Sequence, residues 1–474
     1  SEPLREGALQ CLPFHQSLDS GCVPDDWKIA HIIPIHKAGA HSDPTNYRPI
    51  SLTSICSKPL EHILFSHIMN HLNLNNLILE NQHGFRYKRS CQTQLFELVT
   101  DDLHHVLYMS LDTDAIFVDF SKAFDRVPHK RLLLKIKNLQ FDDNTARWIA
   151  EFLTNRFQSV KINDCISNPA RVKSSVPQGT VLGHLLFLIY INDIASNINS
   201  SIRLFADDCV IYKTISNAED AHTLQSDLNR LTEWCRTWQM EINEEKTKHI
   251  RFSSVPGPLL SVYTINGKAV ESVSSIKYLD VHLHFSLSWN AHIDLITGKA
   301  FRKLGMLKRR LHLANSNTRH QAYTTLIRPT LEYASVIWHP HQDFLSNLLE
   351  SIQNKAARFI TSSYSRFQSV SSIKEVLNLY HRSLSEGSLR DYHFFTHYYC
   401  NSKFARSHLL PAPHVSSRRD HANKILPLFA RTKKYQYSPL SLAINEWNQL
   451  ASIIAVLTDL SGFQAAMLAS SDAS

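Results

Sequence analysis

Three acids stand where apolar strands should end. The stretch "DAIFVDF" (114–120) carries Asp119 near its end, and "LFADDCVIY" (204–212) carries Asp207 and Asp208 between apolar residues. An unpaired buried charge is strongly unfavourable, and a like charge beside it is worse. If the two strands pair, three carboxylates meet, and their repulsion calls for a divalent cation. Hard Mg²⁺ takes oxygen ligands and keeps positions open for substrate phosphates. Two such ions about 3.5–4 Å apart stabilise both the attacking and the leaving oxygen of an in-line phosphoryl transfer. The alternative is three unrelated acids at strand ends, since an Asp-Asp pair at a turn is common. Apolar strand on both sides of the pair, and a second strand ending in Asp, favour one shared site.

The elements around these acids are legible from periodicity. "WKIAHIIPIHKAG" reads as a strand or hairpin, and helix-like spacing begins near Lys58. The run 114–120 reads as a buried strand, and "SKAFDRV" after it as a helix with Ser121 as N-cap. Pro177 and Gly179 open a turn that leads into a buried helix, "VLGHLLFLIYINDI". Residues 202–213 read as strand, tight turn, strand, with the acids at the turn. Ala221, Leu224, Leu228, Leu231, Cys235 and Trp238 form one apolar helical stripe. "HIRFSS" (249–254) is a short strand, and the alternation over 110–255 predicts helices on one face of a mixed sheet. "VPGP" (255–258) is a break, Asn266-Gly267 turns a second hairpin, and 291–365 read as mostly helical.

Composition narrows the class. At 474 residues the chain exceeds one hydrophobic core and implies two to four units. With 43% hydrophobic residues it is not a disordered chain. No run of eighteen apolar residues appears, so no membrane association is expected. The eight cysteines are scattered without a CxxC pair, which predicts reduced thiols in an intracellular compartment. The 27 histidines make no zinc-spaced cluster with them, and the net charge of +8 suits a polyanionic partner. The chain begins at Ser1 without a signal-peptide pattern, and reads as one piece of a longer product.

In this order, "AIFVDFSKAFDRV", "VPQGTVLG" and "FADD" resemble motifs A, B and C of reverse transcriptases. "NYRPISLTS", "QHGFR", "KYLDVHLHFSLSWNAHI", "YTTLIRPTLEYASVIWHP" and "LESIQNKAARFI" resemble further blocks of the non-long-terminal-repeat, LINE-type and Jockey-like retrotransposons. The resemblance implies an α+β right-hand polymerase: fingers, a ferredoxin-like palm, a helical thumb, and a mostly helical C-terminal segment. Its implied divisions are an N-terminal remnant or linker at 1–23, fingers and palm at 24–255, palm end and thumb at 256–375, and a helical segment of unassigned role at 376–474.

Residue by residue, the resemblance makes Asp119, Asp207 and Asp208 the catalytic acids and ligands of Mg²⁺, with Mn²⁺ as a substitute. The Phe120 carbonyl would complete one metal shell. Backbone near Lys122 and Ala123 would meet the triphosphate, Gln178 and Gly179 would line the nucleotide pocket, and Arg48 would reach triphosphate or template from the fingers. Lys246, in "NEEKTKHIRF", matches a lysine that protonates the leaving pyrophosphate. Phe124 lies where the family places the residue under the sugar; a bulky ring there leaves no room for a 2′-hydroxyl and favours dNTPs. In "GKAFRKLGMLKRRLHL" the stripe Ala300, Leu304, Leu307 and Leu311 leaves Lys299, Arg302, Lys303 and Arg310 free for duplex phosphates.

The partners implied are the element RNA as template, a DNA primer and dNTPs, with an upstream endonuclease encoded in the same full-length element. The implied locations are the nucleus for the target-site reaction and the cytoplasm for the RNA–protein complex. The sequence departs from the family at His184 and Ala451, where Pro is usual, at Asp280, where Gly is usual, and at His284, where Asp is usual. Such drift makes the competing reading a catalytically degenerate relic that still binds nucleic acid. An RNA-templated RNA polymerase is disfavoured by Phe124 and by Ala206 before the acids.

Overall fold

The computed structural model describes residues 14–255, 261–365, 367–379, 409–415, 420–430, 433–457, 462–463 and 465–467. From the N-terminus, β1 (Ile29–His36) and β2 (Tyr47–Leu52) pair antiparallel, and α1 (Ser57–Leu74) follows. Then come β3 (Asp112–Val118), β4 (Phe157–Ile162), α2 (Val181–Ile191), β5 (Ser201–Phe205), β6 (Asp208–Ile215), α3 (Ala218–Trp238), β7 (Lys248–Phe252) and β8 (Glu271–Ser272). A hairpin of β9 (Ser275–Tyr278) and β10 (Val281–His284) precedes the long helix α4 (Asn290–Arg310), α5 (Ser316–Leu326) and α6 (Asp343–Thr361).

The central sheet has the order β8-β7-β3-β6-β5, with β3 antiparallel to both β6 and β7. Without β8, the succession β3-α2-β5-β6-α3-β7 is the split β-α-β of a ferredoxin-like fold, with its first strand beside its third and fourth. A smaller sheet joins β2, β1 and β4, the last two in parallel.

The sheet is covered on both faces, not on one as its strand–helix alternation suggests. Ile116 and Val118 of β3 enter a core with α1, α2 and α3. Their neighbours Ala115 and Phe117 enter another core, with Leu95, Phe96, Val99 and Leu103 on one side and α4 and α6 beyond. A strand buried on both sides reads as a continuous apolar run, as "AIFV" does.

A second departure follows β3. Residues 121–126 form turns, and the next helix is His129–Lys137 with Pro128 before it and no side-chain cap. Ser121 caps no helix there, because Lys122, which would be the first helical residue, takes the left-handed φ of +50°, while the Ser121 N–H donates to Glu241 O across a long-range bridge. Other turns match their sequence: Asn266 and Gly267 both have positive φ between two paired dipeptides. Asp280, where a glycine is usual, sits at φ +63° beside Leu279 at +44° in the β9–β10 turn. The "PGP" of the expected break lies outside the described residues, as do 380–408 and several shorter stretches of 376–474. Among the described residues no helix is long and apolar enough to cross a membrane, and six cysteines are free thiols.

Candidate active site

The register of β3 and β6 brings the acids together. Their last pair is Val118 with Cys209, so Asp119 and Asp208 follow one step further at the same end of the sheet. Asp207 is in the two-residue turn between β5 and β6, where Phe205 pairs with Asp208. Backbone locks Asp119 in place: its N–H donates to Thr247 Oγ1 at 3.2 Å, and its carbonyl accepts from Asn243 N–H at 2.7 Å. Phe120 bridges Ile242 in a position whose hydrogen bonds are carried by its neighbours, which leaves its own carbonyl out of the bridge. That is the carbonyl singled out from the sequence.

The hairpin strands are held from behind by a buried ion network. Arg203 of β5 donates to Asp102 at 2.9 Å and to the Tyr212 hydroxyl of β6 at 2.8 Å, and pairs with Glu97. Glu97 also receives Arg89 at 2.8 Å and lies 3.3 Å from His83. A buried charge is tolerable only with partners of this kind.

The three site acids are treated differently. Burial raises the carboxyl of Asp119. Burial, and then the charge of Asp119, raise Asp207. Asp208 is pushed up to about 6 by the surrounding protein, and then by Asp207 and Asp119, although its side chain reaches solvent. Lys37 at the end of β1 offsets all three, with Lys246 offsetting Asp119 and Arg48 offsetting Asp207. Such mutual repulsion among oxygen donors suits a hard divalent cation. Among the described residues, however, no three His, Cys, Asp or Glu side chains converge closely enough to hold a metal by themselves. A cation here would need further oxygens, from backbone or substrate.

The loop before α2 forms the neighbouring wall. Thr180 caps α2 by accepting from Gly183 N–H, and the buried Glu61 of α1 accepts from Val181 and Leu182 N–H at 2.8 and 3.3 Å. A carboxylate at a helix N-terminus satisfies orphan donors and faces the positive end of the helix dipole. Gly179 has φ +104°, and a Cβ there would stand 2.6 Å from Ser51 O, so β2 approaches too closely for any other residue. Gln178 accepts from Ser51 N–H at 2.7 Å and donates to Asp125 at 3.2 Å.

Phe124 stacks on Phe187 with ring centroids 4.2 Å apart and meets His184 edge-on at 6.0 Å. His184 also packs on Phe85 at 4.3 Å, so it fills space between two aromatic rings. Ala123 is buried, while Lys122, Lys246 and Arg48 are exposed.

The remaining cations named from the sequence lie on α4, a separate element. Ala300, Leu304 and Leu307 are buried and Lys299, Arg302, Lys303 and Arg310 are exposed, as the stripe predicts. Lys303 is already engaged, with Leu326 O at 3.0 Å and Thr330 Oγ1 at 2.8 Å. A cavity of about 550 Å³ lined by Ser121, Glu241, Asn243 and Lys268 includes none of the three acids. Sequence reasoning missed Lys37, Glu61 and Gln82. Gln82 lay in the block "QHGFR" and Lys37 in the strand stretch "WKIAHIIPIHKAG", while Glu61 lay in no quoted stretch.

Acids at adjacent ends of a ferredoxin-like sheet, beside a glycine-dependent loop, define a palm-type nucleotidyl-transfer architecture. Residues 35–283 match the reverse transcriptase (RNA-dependent DNA polymerase) family, and the chain belongs to it. It is 28% identical over 376 residues to the probable RNA-directed DNA polymerase from transposon BS of Drosophila melanogaster, covering 76% of this chain and 41% of that one. It is 32% identical over 350 residues to that from transposon X-element of the same species, covering 71% and 38%. The RNA-directed DNA polymerase from its mobile element jockey is 29% identical over 374 residues, covering 76% and 40%. The chain thus spans about two-fifths of the length of the curated relatives it matches.

Proposed function

We propose that this chain is the polymerase portion of a non-long-terminal-repeat retrotransposon protein, and that it extends a DNA primer with dNTPs on the element RNA. The observation that carries the reading is the placement of Asp119, Asp207 and Asp208 at adjacent strand ends, with the Phe120 carbonyl left out of its bridge. Those oxygens would hold Mg²⁺, which supplies charge neutralisation for the attacking 3′-oxygen and the leaving pyrophosphate. Lys37 and Arg48 would meet the triphosphate from the β1–β2 side, with backbone at Lys122 and Ala123 opposite. Gln178 and Gly179 would line the base and sugar, and Lys246 would give a proton to the departing pyrophosphate. Phe124, fixed by its stack on Phe187, would close the space a 2′-hydroxyl needs.

In this reading 24–255 are fingers and palm, 256–375 the palm end and thumb, and α4 lies along the duplex phosphates. An endonuclease encoded upstream in the same element would supply the primer end in the nucleus, after an RNA–protein complex forms in the cytoplasm. The test is incorporation of dTMP on oligo-dT/poly-rA with Mg²⁺. The chain extends the primer, and Asp207→Asn abolishes extension while hybrid binding persists. An Asp207→Asn protein that still polymerises refutes the metal assignment. A parent chain that binds hybrid and never extends is the degenerate relic.

A further inference from the structure

The segment 81–84 lies along β5 as an added strand. Leu204 N–H donates to Asn81 O at 3.0 Å, His83 N–H donates to Leu204 O at 2.9 Å, and Gln82 bridges Leu204 in parallel. This puts the Gln82 side chain, 2% exposed, against the turn that carries the acids. Its Oε1 accepts from Ala206 N–H at 2.9 Å and from Gly84 N–H at 2.8 Å, and its Nε2 donates to Ala206 O at 3.4 Å. One amide thus grips both backbone groups of Ala206. That residue holds φ +54°, a conformation that disfavours any side chain with a Cβ. The grip demands close approach: a Cβ on Gly84 would fall 2.3 Å from Ala206 N.

We propose that Gln82 is a positioning residue for Asp207 and Asp208, and that it acts by holding Ala206 in the left-handed turn. The inference rests on the polymerase reading of the site. Ala206 immediately precedes the acids, so its backbone angles set the direction of the peptide that carries Asp207. A glycine would adopt the turn unaided but loosely. An alanine clamped from outside makes the same turn stiff, because it narrows the alternatives open to the chain. Gln82 has no direct path to substrate, since its three polar contacts are all with backbone.

The experiment uses the full chain, Gln82→Met, which keeps the length and removes the hydrogen bonds, and Gln82→Met combined with Ala206→Gly. Three quantities are read: thermal midpoint, hydrogen–deuterium exchange of the 204–208 amides, and dTMP incorporation against primer–template concentration. In Gln82→Met the Ala206 amide exchanges faster, and kcat falls by about 10–100-fold, the usual loss when an outer partner of a site ligand is removed. KM for primer–template stays unchanged. Adding Ala206→Gly recovers part of kcat, because glycine takes the turn without the clamp; a loss of packing alone would not be rescued there. Unchanged exchange at Ala206 overturns the proposal, as does a kcat loss that Ala206→Gly leaves untouched. If the parent chain fails to extend primers, the polymerase reading falls, and the exchange comparison still judges the clamp.

Discussion

Asp114 offers a sharp energetic test of how the central strand is held. It lies on β3, five residues before Asp119, and is fully buried. It accepts from Arg251 Nε at 2.7 Å, from Arg251 Nη2, from His249 Nε2 at 3.0 Å and from the Tyr263 hydroxyl at 2.6 Å. Burial pushes its carboxyl up, but the bonds from Arg251 and His249 outweigh burial and bring it down to about 2 from 3.8. A shift of that size corresponds to about 2.4 kcal/mol. The native state binds fewer protons than the unfolded one between these values. This stability is therefore present above pH 3.8 and is lost as pH falls towards 2. Asp114→Asn removes more, about 3–5 kcal/mol, because it also leaves the Arg251 guanidinium without its buried carboxylate. Urea unfolding followed by circular dichroism at pH 7 measures the loss in Asp114→Asn, and midpoints between pH 5 and 2 measure the acid-dependent loss. Asp114→Leu with Arg251→Met should regain at least half of the loss, since a buried ion pair is replaceable by apolar groups. An Asp114→Asn protein that loses under about 1 kcal/mol, or that keeps the parent's acid slope, refutes the reasoning.

Gly179→Ala should lower the thermal midpoint through about 1–3 kcal/mol of backbone strain, and reduce primer extension by displacing Gln178 from Ser51; an unchanged protein would show that β2 can retreat. The buried His83 is held down to about 4, chiefly by burial, with Glu97 opposing. Its neutral form is the native one, so stability should fade as pH drops from 6.5 towards 4, and His83→Gln should flatten that slope in a denaturation series. Replacing Arg302 and Arg310 together by Ala should reduce the log–log salt slope of hybrid binding by about 1.4–1.8, the share of two phosphate contacts, with the extension rate at saturating hybrid preserved.

How far the site could be read from sequence depended on distance along the chain. Asp119, Asp207 and Asp208 were legible because each ends or turns an apolar strand, and their meeting needed only one antiparallel pairing. The helix stripe at Leu224, Leu228 and Leu231 and the Asn266-Gly267 turn were legible for the same reason, since their signals are local. The helix expected after Ser121 failed because Lys122 is held in the left-handed region beside the bridge that Phe120 and Ser121 make to the remote 241–242 backbone. Glu61 and Lys37 were invisible for a related reason. One caps α2 from α1, and the other reaches the acids from the end of β1; neither leaves a periodic mark. The second covered face of the sheet was hinted at by the unbroken "AIFV", but only the packing of Ala115 and Phe117 shows which helices cover it.

Two acids of one chain segment also argue for what the site does. Asp114 lies within β3 and Asp119 directly after its end, yet the fold surrounds the first with an arginine, a histidine and a tyrosine and offsets the second only with the charges of Lys246 and Lys37. If the acids at the strand ends were there for stability, the same solution would serve them. Instead, burial raises all three, Asp119 also raises Asp207, both raise Asp208, and no other side chain among the described residues forms a hydrogen bond or ion pair with their carboxylates. Rigid scaffolding is spent on their backbone: Thr247 and Asn243 for Asp119, Gln82 for Ala206, and Arg203 and Tyr212 for the hairpin. Fixed backbone with unneutralised oxygens is the arrangement of a site built to receive positive charge, since strain and repulsion persist only where the surrounding structure holds them.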